Sequence, residues 1–168
     1  MKTKVLASAL LLVGGASSSY AADIDWGTDP VSSSAFVSVA KGLFLDTYLF
    51  TLSTLSNVSS SAVSVPLPGK AITFGTYSLW SAGADAAVDG GDDMALGSWG
   101  FTTVAAANVS TLAAGTYYFA VQGKGTGTTG GKYLLGADVT PVPEPETLAM
   151  MLAGLGAVGF LARRRQSV

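Results

Sequence analysis

Alternation of apolar and polar side chains constrains the fold of this chain more than any other feature of its sequence. In three stretches, 43–52, 116–123 and 132–139, apolar residues recur at alternate positions, interrupted in the first by Asp46, as they do in a strand with one buried face. Weaker candidates cover 32–40, 58–65, 71–80 and 97–104. Turn residues separate these stretches, and charged helix formers are scarce. The pattern predicts an all-β, antiparallel β-sandwich or jelly-roll-like single domain of about seven strands, with a barrel as the alternative.

The N-terminus has the layout of a secretory signal peptide. Lys2 and Lys4 precede an apolar stretch, and small residues follow up to Ala21. A buried N-terminal helix is the alternative interpretation. We predict cleavage after Ala21, which leaves residues 22–140 as the exported domain, a length that suits one hydrophobic core.

The C-terminus combines three features in a fixed order. Pro143 and Pro145 keep the chain extended around Glu144, so that an enzyme can reach this side chain. The 15 apolar residues that follow, 148–162, span about 22 Å as a helix, against about 30 Å for a bilayer core. Local thinning of the bilayer can close this gap. We therefore predict a single transmembrane helix over 147–162, followed by a stop-transfer cluster of Arg163, Arg164 and Arg165.

Residues 141–165 resemble the PEP-CTERM sorting signal, with Val142, Pro143, Glu144 and Pro145 as the motif. The resemblance implies processing by exosortase, a membrane cysteine transpeptidase of Gram-negative bacteria, after export by the Sec machinery. It also implies transient anchoring in the inner membrane, cleavage near the motif, and delivery to the cell surface or extracellular matrix. The family is associated with exopolysaccharide and biofilm. A plain C-terminal membrane anchor is the alternative.

Two further resemblances fall within the domain. Phe44, Asp46 and Tyr48, followed by Phe50, resemble the Phe-x-Asp-x-Phe pattern of one PEP-CTERM subfamily, with tyrosine at the second aromatic position. Residues 112–118 resemble part of bacterial pre-peptidase-like β-sandwich modules, which implies a fold and not a reaction. Because alternation places Asp46 on an apolar face, we expect its carboxylate to accept hydrogen bonds, with a calcium ligand as the alternative.

Composition excludes several functions. The chain has no histidine and no cysteine, so Ser-His-Asp and Cys-His catalysis, thiol redox chemistry and conventional zinc sites are excluded. Paired aspartates of a glycoside hydrolase are a remote alternative. The exported segment carries four lysines and nine aspartates, which disfavours nucleic acid as a partner. We expect a protein that is not an enzyme and needs no cofactor.

An acidic stretch around Gly90 and Gly91 is the weak exception for metal binding. Asp89, Asp92 and Asp93, with Asp85 nearby, are weak calcium candidates, although their spacing fits no established calcium loop. A solvated acidic loop is the default interpretation.

Two other patterns have ordinary explanations. Residues 125–130 match the dinucleotide pattern Gly-x-Gly-x-x-Gly, but a strand follows them instead of a helix, which predicts a glycine-rich hairpin loop. Six aromatic residues are candidates for stacking on sugar rings, which makes a carbohydrate-binding, lectin-like module the alternative function: Trp26, Trp80, Trp99, Tyr77, Tyr117 and Tyr118. Core packing explains most of them equally well.

Overall fold

The computed structural model describes residues 23–143 and 145–165. The predicted signal peptide, its cleavage site at Ala21, and Glu144 of the sorting motif lie outside the described residues. The described residues form nine strands and one helix: β1 Asp23–Thr28, β2 Ser32–Val39, β3 Gly42–Leu52, β4 Ser56–Ser64, β5 Ile72–Ser81, β6 Met94–Gly100, β7 Asn108–Leu112, β8 Gly115–Gly125, β9 Gly131–Pro141 and α1 Pro145–Arg165.

The strands form two sheets that pack face to face as a β-sandwich. One sheet has the order β1-β3-β8-β5-β6 and the other the order β2-β9-β4-β7. All pairings are antiparallel except that of β1 with β3, which is parallel. The prediction of an all-β, mainly antiparallel sandwich is therefore confirmed.

The three strong alternating stretches became the central strands β3, β8 and β9. Their predicted inner faces are buried between the sheets, and the largest fully buried side chains include Tyr48, Phe50, Phe119, Tyr133 and Leu135. The aromatic rings contact one another across the core; Phe50 and Phe119, for example, stack at 5.4 Å between ring centroids. This dense aromatic packing supplies buried apolar area that a chain without disulfides requires.

Two strands were not predicted, and one was misplaced. β1 carries two aspartates and β7 has only five residues, so neither shows a clear alternating pattern. The strand predicted at 97–104 instead runs from Met94 to Gly100 as β6. After Gly100 the chain bends toward the other sheet, where Thr102 bridges Val63.

The glycine-rich segment 125–130 connects the two sheets and does not close a hairpin between paired strands. β8 belongs to the five-stranded sheet and β9 to the four-stranded sheet. Gly127 and Gly130 exchange two backbone hydrogen bonds of 3.1 Å, which turns the chain, and a side chain on either glycine would overlap neighbouring backbone. The hairpin prediction was wrong because both strands pair with other partners, although the role of the glycines in a tight turn is confirmed.

Helix α1 begins with Pro145, which suits the first helical position, and Glu146 lies in its first turn, where an acidic side chain is favourable. The described side chains of α1 are exposed, including Met150, Leu152 and Leu155. In the part of the chain that the structure describes, no helix has both the length and the apolar character needed to cross a membrane. The transmembrane role predicted for residues 147–162 stays a prediction.

Candidate functional site

Asp46 lies in the middle of β3, on the face that packs against the other sheet. It is 2% exposed, and its Oδ2 accepts a 2.5 Å hydrogen bond from the Tyr133 hydroxyl of β9. The hydroxyl groups of Tyr133 and Tyr48 are 2.6 Å apart. As expected, the Asp46 carboxylate accepts a hydrogen bond from a hydroxyl group. The donor belongs to the opposite sheet, and Asp46 lies in the middle of its strand and not at the end.

The electrostatics of this cluster favour protonated tyrosines. Burial raises the pKa of Tyr48 to about 12, and the nearby Asp46 charge acts in the same direction. Burial also raises the pKa of Tyr133 well above its usual range, and the hydrogen bond to Asp46 adds to this effect. Both tyrosines are fully buried, so the cluster joins the two sheets and offers no surface to a substrate.

The positions of the subfamily pattern share this buried environment. Phe44, Asp46, Tyr48 and Phe50 are each at most 4% exposed. The Phe44 ring stacks on Tyr133 at 5.7 Å between centroids. The arrangement gives these four residues a role in the core, whichever family the pattern belongs to.

Most of the aromatic residues considered for sugar stacking belong to the core. Tyr77, Tyr117 and Tyr118 are buried, which removes them as stacking surfaces. Trp26 and Trp99 are half-buried and pack against the core. The prediction of exposed stacking aromatics therefore fails for these five positions. Four of them pack in or against the core, whereas Tyr118 lies on the opposite face of β8 and is covered there.

Trp80 is the exception, since it lines a groove on the outer face of the five-stranded sheet. The groove has a volume of about 420 Å³ and is bounded by β3, β5, β8 and the loop between β5 and β6; its lining residues are Leu45, Thr47, Ser78, Trp80, Asp89, Gly90, Asp93, Tyr118, Ala120 and Gln122. The Trp80 and Tyr118 rings lie parallel, with 6.2 Å between centroids and 5° between planes. The indole N–H of Trp80 donates a 2.8 Å hydrogen bond to Ser78, which fixes the ring.

A carboxylate with an unused oxygen lies beside these rings. The Tyr118 hydroxyl donates a 2.8 Å hydrogen bond to Asp93 Oδ2. Within the described residues, Asp93 Oδ1 is buried and has no hydrogen-bond partner. Burial raises the pKa of Tyr118 above its usual range, and the hydrogen bond to Asp93 contributes as well. The groove thus combines the half-buried Trp80 ring with polar side chains such as the exposed Gln122.

The acidic loop brings three carboxylates together, but not the predicted three. Oxygen atoms of Asp85, Asp92 and Asp93 lie within 4.8 Å of one another and could hold a cation, whereas Asp89 lies outside this group and lines the groove. Asp92 accepts a 2.6 Å hydrogen bond from Ala84 N, and Asp85 accepts one of 3.0 Å from the backbone of residue 87. These bonds give both carboxylates a role in organising the loop.

The sorting segment leaves the sandwich at its end. Val142 N donates a 2.9 Å hydrogen bond to Leu55 O, which is the residue before β4. The exposed Pro143 follows, and α1 begins two residues later. Arg163 is exposed near the end of α1, and Arg164 and Arg165 complete the helix. Pro143 is thereby placed between a folded domain and a helix whose described side chains are exposed.

Comparison with known proteins identifies the C-terminal segment. Residues 141–165 match the PEP-CTERM protein-sorting motif, which confirms the predicted sorting signal. The motif implies an exported protein that exosortase sorts. The subfamily assignment based on Phe44, Asp46, Tyr48 and Phe50 stays a prediction.

The sandwich itself has a similar solved structure. The pre-peptidase C-terminal domain of collagenase from Bacillus anthracis, solved at 1.0 Å, aligns with 71% of this chain and 98% of its own length. Its TM-score is 0.47 and its sequence identity is 15%. No curated protein matches the chain.

Proposed function

We propose that this chain is a non-enzymatic protein of the cell surface or extracellular matrix in a Gram-negative bacterium, delivered there by exosortase. The observation that carries the proposal is the match of residues 141–165 to the sorting motif. The motif suggests export, a membrane-anchored precursor and then the cell surface. In this account the sandwich is the delivered part, and residues from Pro143 onward direct its processing.

The absence of an enzymatic activity is supported by chemistry and by burial. The whole sequence has neither histidine nor cysteine. Asp46, the carboxylate on the aromatic face, is buried and held by Tyr133, so it cannot reach a substrate. A structural component needs only a stable domain and a sorting signal, and the described residues supply a dense core and an exposed Pro143 beside it.

A matched pair of variants tests the sorting role. We expect Glu144→Ala to remain as the full-length precursor, whereas Glu146→Ala, two residues further along and already inside α1, is processed like the wild type. The measurement is the mass of the protein from cells with exosortase. Normal processing of Glu144→Ala would contradict recognition of the motif at this residue.

Carbohydrate binding is a second candidate function, and the groove around Trp80 is the specific observation in its favour. An aromatic ring fixed by Ser78 beside the exposed polar side chain of Gln122 resembles the usual combination of stacking surface and hydrogen-bonding groups for a sugar. An exopolysaccharide of the matrix is the corresponding ligand class, which would place the protein in biofilm.

Three variants test this candidate against the host's own exopolysaccharide by calorimetry. We expect Trp80→Ala and Gln122→Ala to weaken binding at least about tenfold, because each removes a groove contact. Phe74→Ala is the control, since Phe74 is 87% exposed and does not line the groove. No saturable binding by the wild type, or equal losses in all three variants, would eliminate this function.

A further inference from the structure

Strand β2 is an edge strand, and only half of its backbone N–H and C=O groups form hydrogen bonds with a neighbouring strand. It lies at the end of the four-stranded sheet and pairs with β9 over eight residues, from Ser32 opposite Asp138 to Val39 opposite Gly131, without a register shift. Val139 N donates to Val31 O across the same ladder, at 3.1 Å. In an antiparallel pair, directly opposed residues that bond to each other alternate with those that do not. The odd-numbered residues of β2 therefore bond to β9.

The even-numbered residues of β2 point their backbone groups the other way. The N–H and C=O groups of Ser32, Ser34, Phe36 and Ser38 face away from β9, toward the open side of the sheet. Among the described residues, no strand pairs with β2 on that side. These groups form the row of donors and acceptors to which another strand can add.

The other three edges carry features that discourage such pairing. β1 has two aspartates and a register shift, β7 has only five residues, and β6 pairs through an irregularity at Leu79 and Trp80. Charges, short length and bulges are the devices by which proteins protect their edges. β2 has eight residues with no charge, no proline and no irregularity. It is thus the unprotected edge of the described sandwich.

We propose that β2 pairs with β2 of a second copy of this chain, in an antiparallel register that places Phe36 opposite Phe36. A two-fold axis perpendicular to the sheet leaves the core-facing sides of both β2 strands on the same side of the joined sheet. It also pairs Ser34 with Ser38 of the other copy. Ala35 meets Val37 on the inner side. The register forms about six intermolecular backbone hydrogen bonds and merges two four-stranded sheets into one.

Self-complementarity is the reason for choosing a second copy as the occupant. A strand without charge meets itself without repulsion, whereas a two-fold axis through a charged edge would oppose like charges. Phe36 is 58% exposed, with Lys132 on β9 lying over its ring at 4.1 Å from the centroid. Lys132 is directly opposite Ser38 in the ladder between β2 and β9. Pairing would cover Phe36 with an aromatic side chain, which is a favourable cross-strand pair.

The full-length chain has no cysteine, so single cysteines report the register by disulfide formation. Directly opposed residues of a bonded pair have Cα atoms about 5.5 Å apart, within the range of a disulfide. We expect Phe36→Cys to give a covalent dimer, and the double variant Ser34→Cys/Ser38→Cys to do so as well. Ser34→Cys alone should not, because its copies would lie about 14 Å apart along the strand.

Two controls keep the test decisive. Val109→Cys places an equally exposed cysteine on β7, the opposite edge of the same sheet, and should stay monomeric. Without any cysteine, the wild-type chain in detergent should have twice the mass of one chain by light scattering. Phe36→Lys should have the mass of one chain with an unchanged circular dichroism spectrum, because two lysines would face each other at the axis.

Several results would overturn the proposal. The first is a wild-type chain with the mass of a monomer, and the second is a dimer that persists in Phe36→Lys. The third is cross-linking of Val109→Cys that is as complete as that of Phe36→Cys. Equal cross-linking of Ser34→Cys and Phe36→Cys would overturn the register. Failure of the sorting role would leave all of these outcomes unchanged, since none depends on exosortase.

Discussion

The Tyr133 hydroxyl donates a 2.5 Å hydrogen bond to the buried carboxylate of Asp46, and this contact joins the two sheets of the sandwich. The two residues are 87 positions apart in the sequence. Loss of a donor to a buried carboxylate costs more than loss of an ordinary hydrogen bond, because part of the carboxylate's desolvation is then no longer compensated. The pair is therefore a sensitive point for the stability of the fold.

We expect Tyr133→Phe to lower the free energy of unfolding by about 2–3 kcal/mol, because it removes a charge-assisted hydrogen bond without changing the ring. Chemical denaturation measures the change. Tyr117→Phe is the matched control: its hydroxyl donates a 3.0 Å bond to the Ala113 carbonyl, so its loss should cost only about 1 kcal/mol. Equal losses in both variants would show that Asp46 does not depend on Tyr133.

The effect of Asp46→Ala should be independent of calcium. We expect the same loss of stability in calcium and in a chelator, because the observed partner of Asp46 is a tyrosine hydroxyl inside the core. Thermal unfolding in both buffers measures it. A loss that appears only in calcium would instead identify Asp46 as a ligand of the ion.

Alkaline pH should destabilise the sandwich. Burial raises the pKa of Tyr48 to about 12, whereas an unfolded tyrosine ionises near pH 10. The stabilisation that favours the neutral tyrosine is complete below about pH 10 and is lost as the pH rises toward about 12. Denaturation midpoints across this range, with tyrosinate absorbance as the second signal, measure the effect. Tyr48→Phe should lose less stability over the same range, and an identical decline in this variant would contradict the assignment.

Gly130 should tolerate substitution poorly. Its φ of 88° lies in the left-handed region, and a Cβ there would overlap the Val39 carbonyl oxygen. We expect Gly130→Ala to cost about 2–4 kcal/mol in unfolding free energy. Gly136→Ala on β9 is the control, since its Cβ would find only Ser61 Oγ, 4.0 Å away, and should change stability by less than about 1 kcal/mol. Similar losses at both positions would refute the role of Gly130.

The sequence predicted the central strands because their pattern is local. In β3, β8 and β9 the alternate side chains are mostly apolar, with Asp46 of β3 as the charged exception, and each face that was expected to be buried lies in the core. β1 escaped prediction because its stability depends on parallel pairing with β3, which is a long-range contact, and not on its own composition. The same reason explains why the segment 125–130 could be assigned to a turn but not to a crossing between sheets.

The candidate sites show the same limit. The sorting motif is a linear pattern, so it was found from the sequence and confirmed by the family match. The groove combines residues of three strands and one loop, and the hydrogen bond from Tyr118 to Asp93 joins residues that are 25 positions apart in the sequence. No local pattern reports such a combination. The outward positions of β3 and β8, such as Thr47 and Gln122, were the available signal, since alternation places them opposite the core face.

The central claim is that exosortase sorts this protein through residues 141–165. The most direct measurement is fractionation of the native host with and without its exosortase, followed by mass spectrometry of the terminal peptides of the protein. The account predicts that, only when exosortase is present, the segment after Pro145 is lost and the sandwich reaches the cell surface or matrix. Retention of Arg163 to Arg165 on a cell-bound protein in both strains would contradict it.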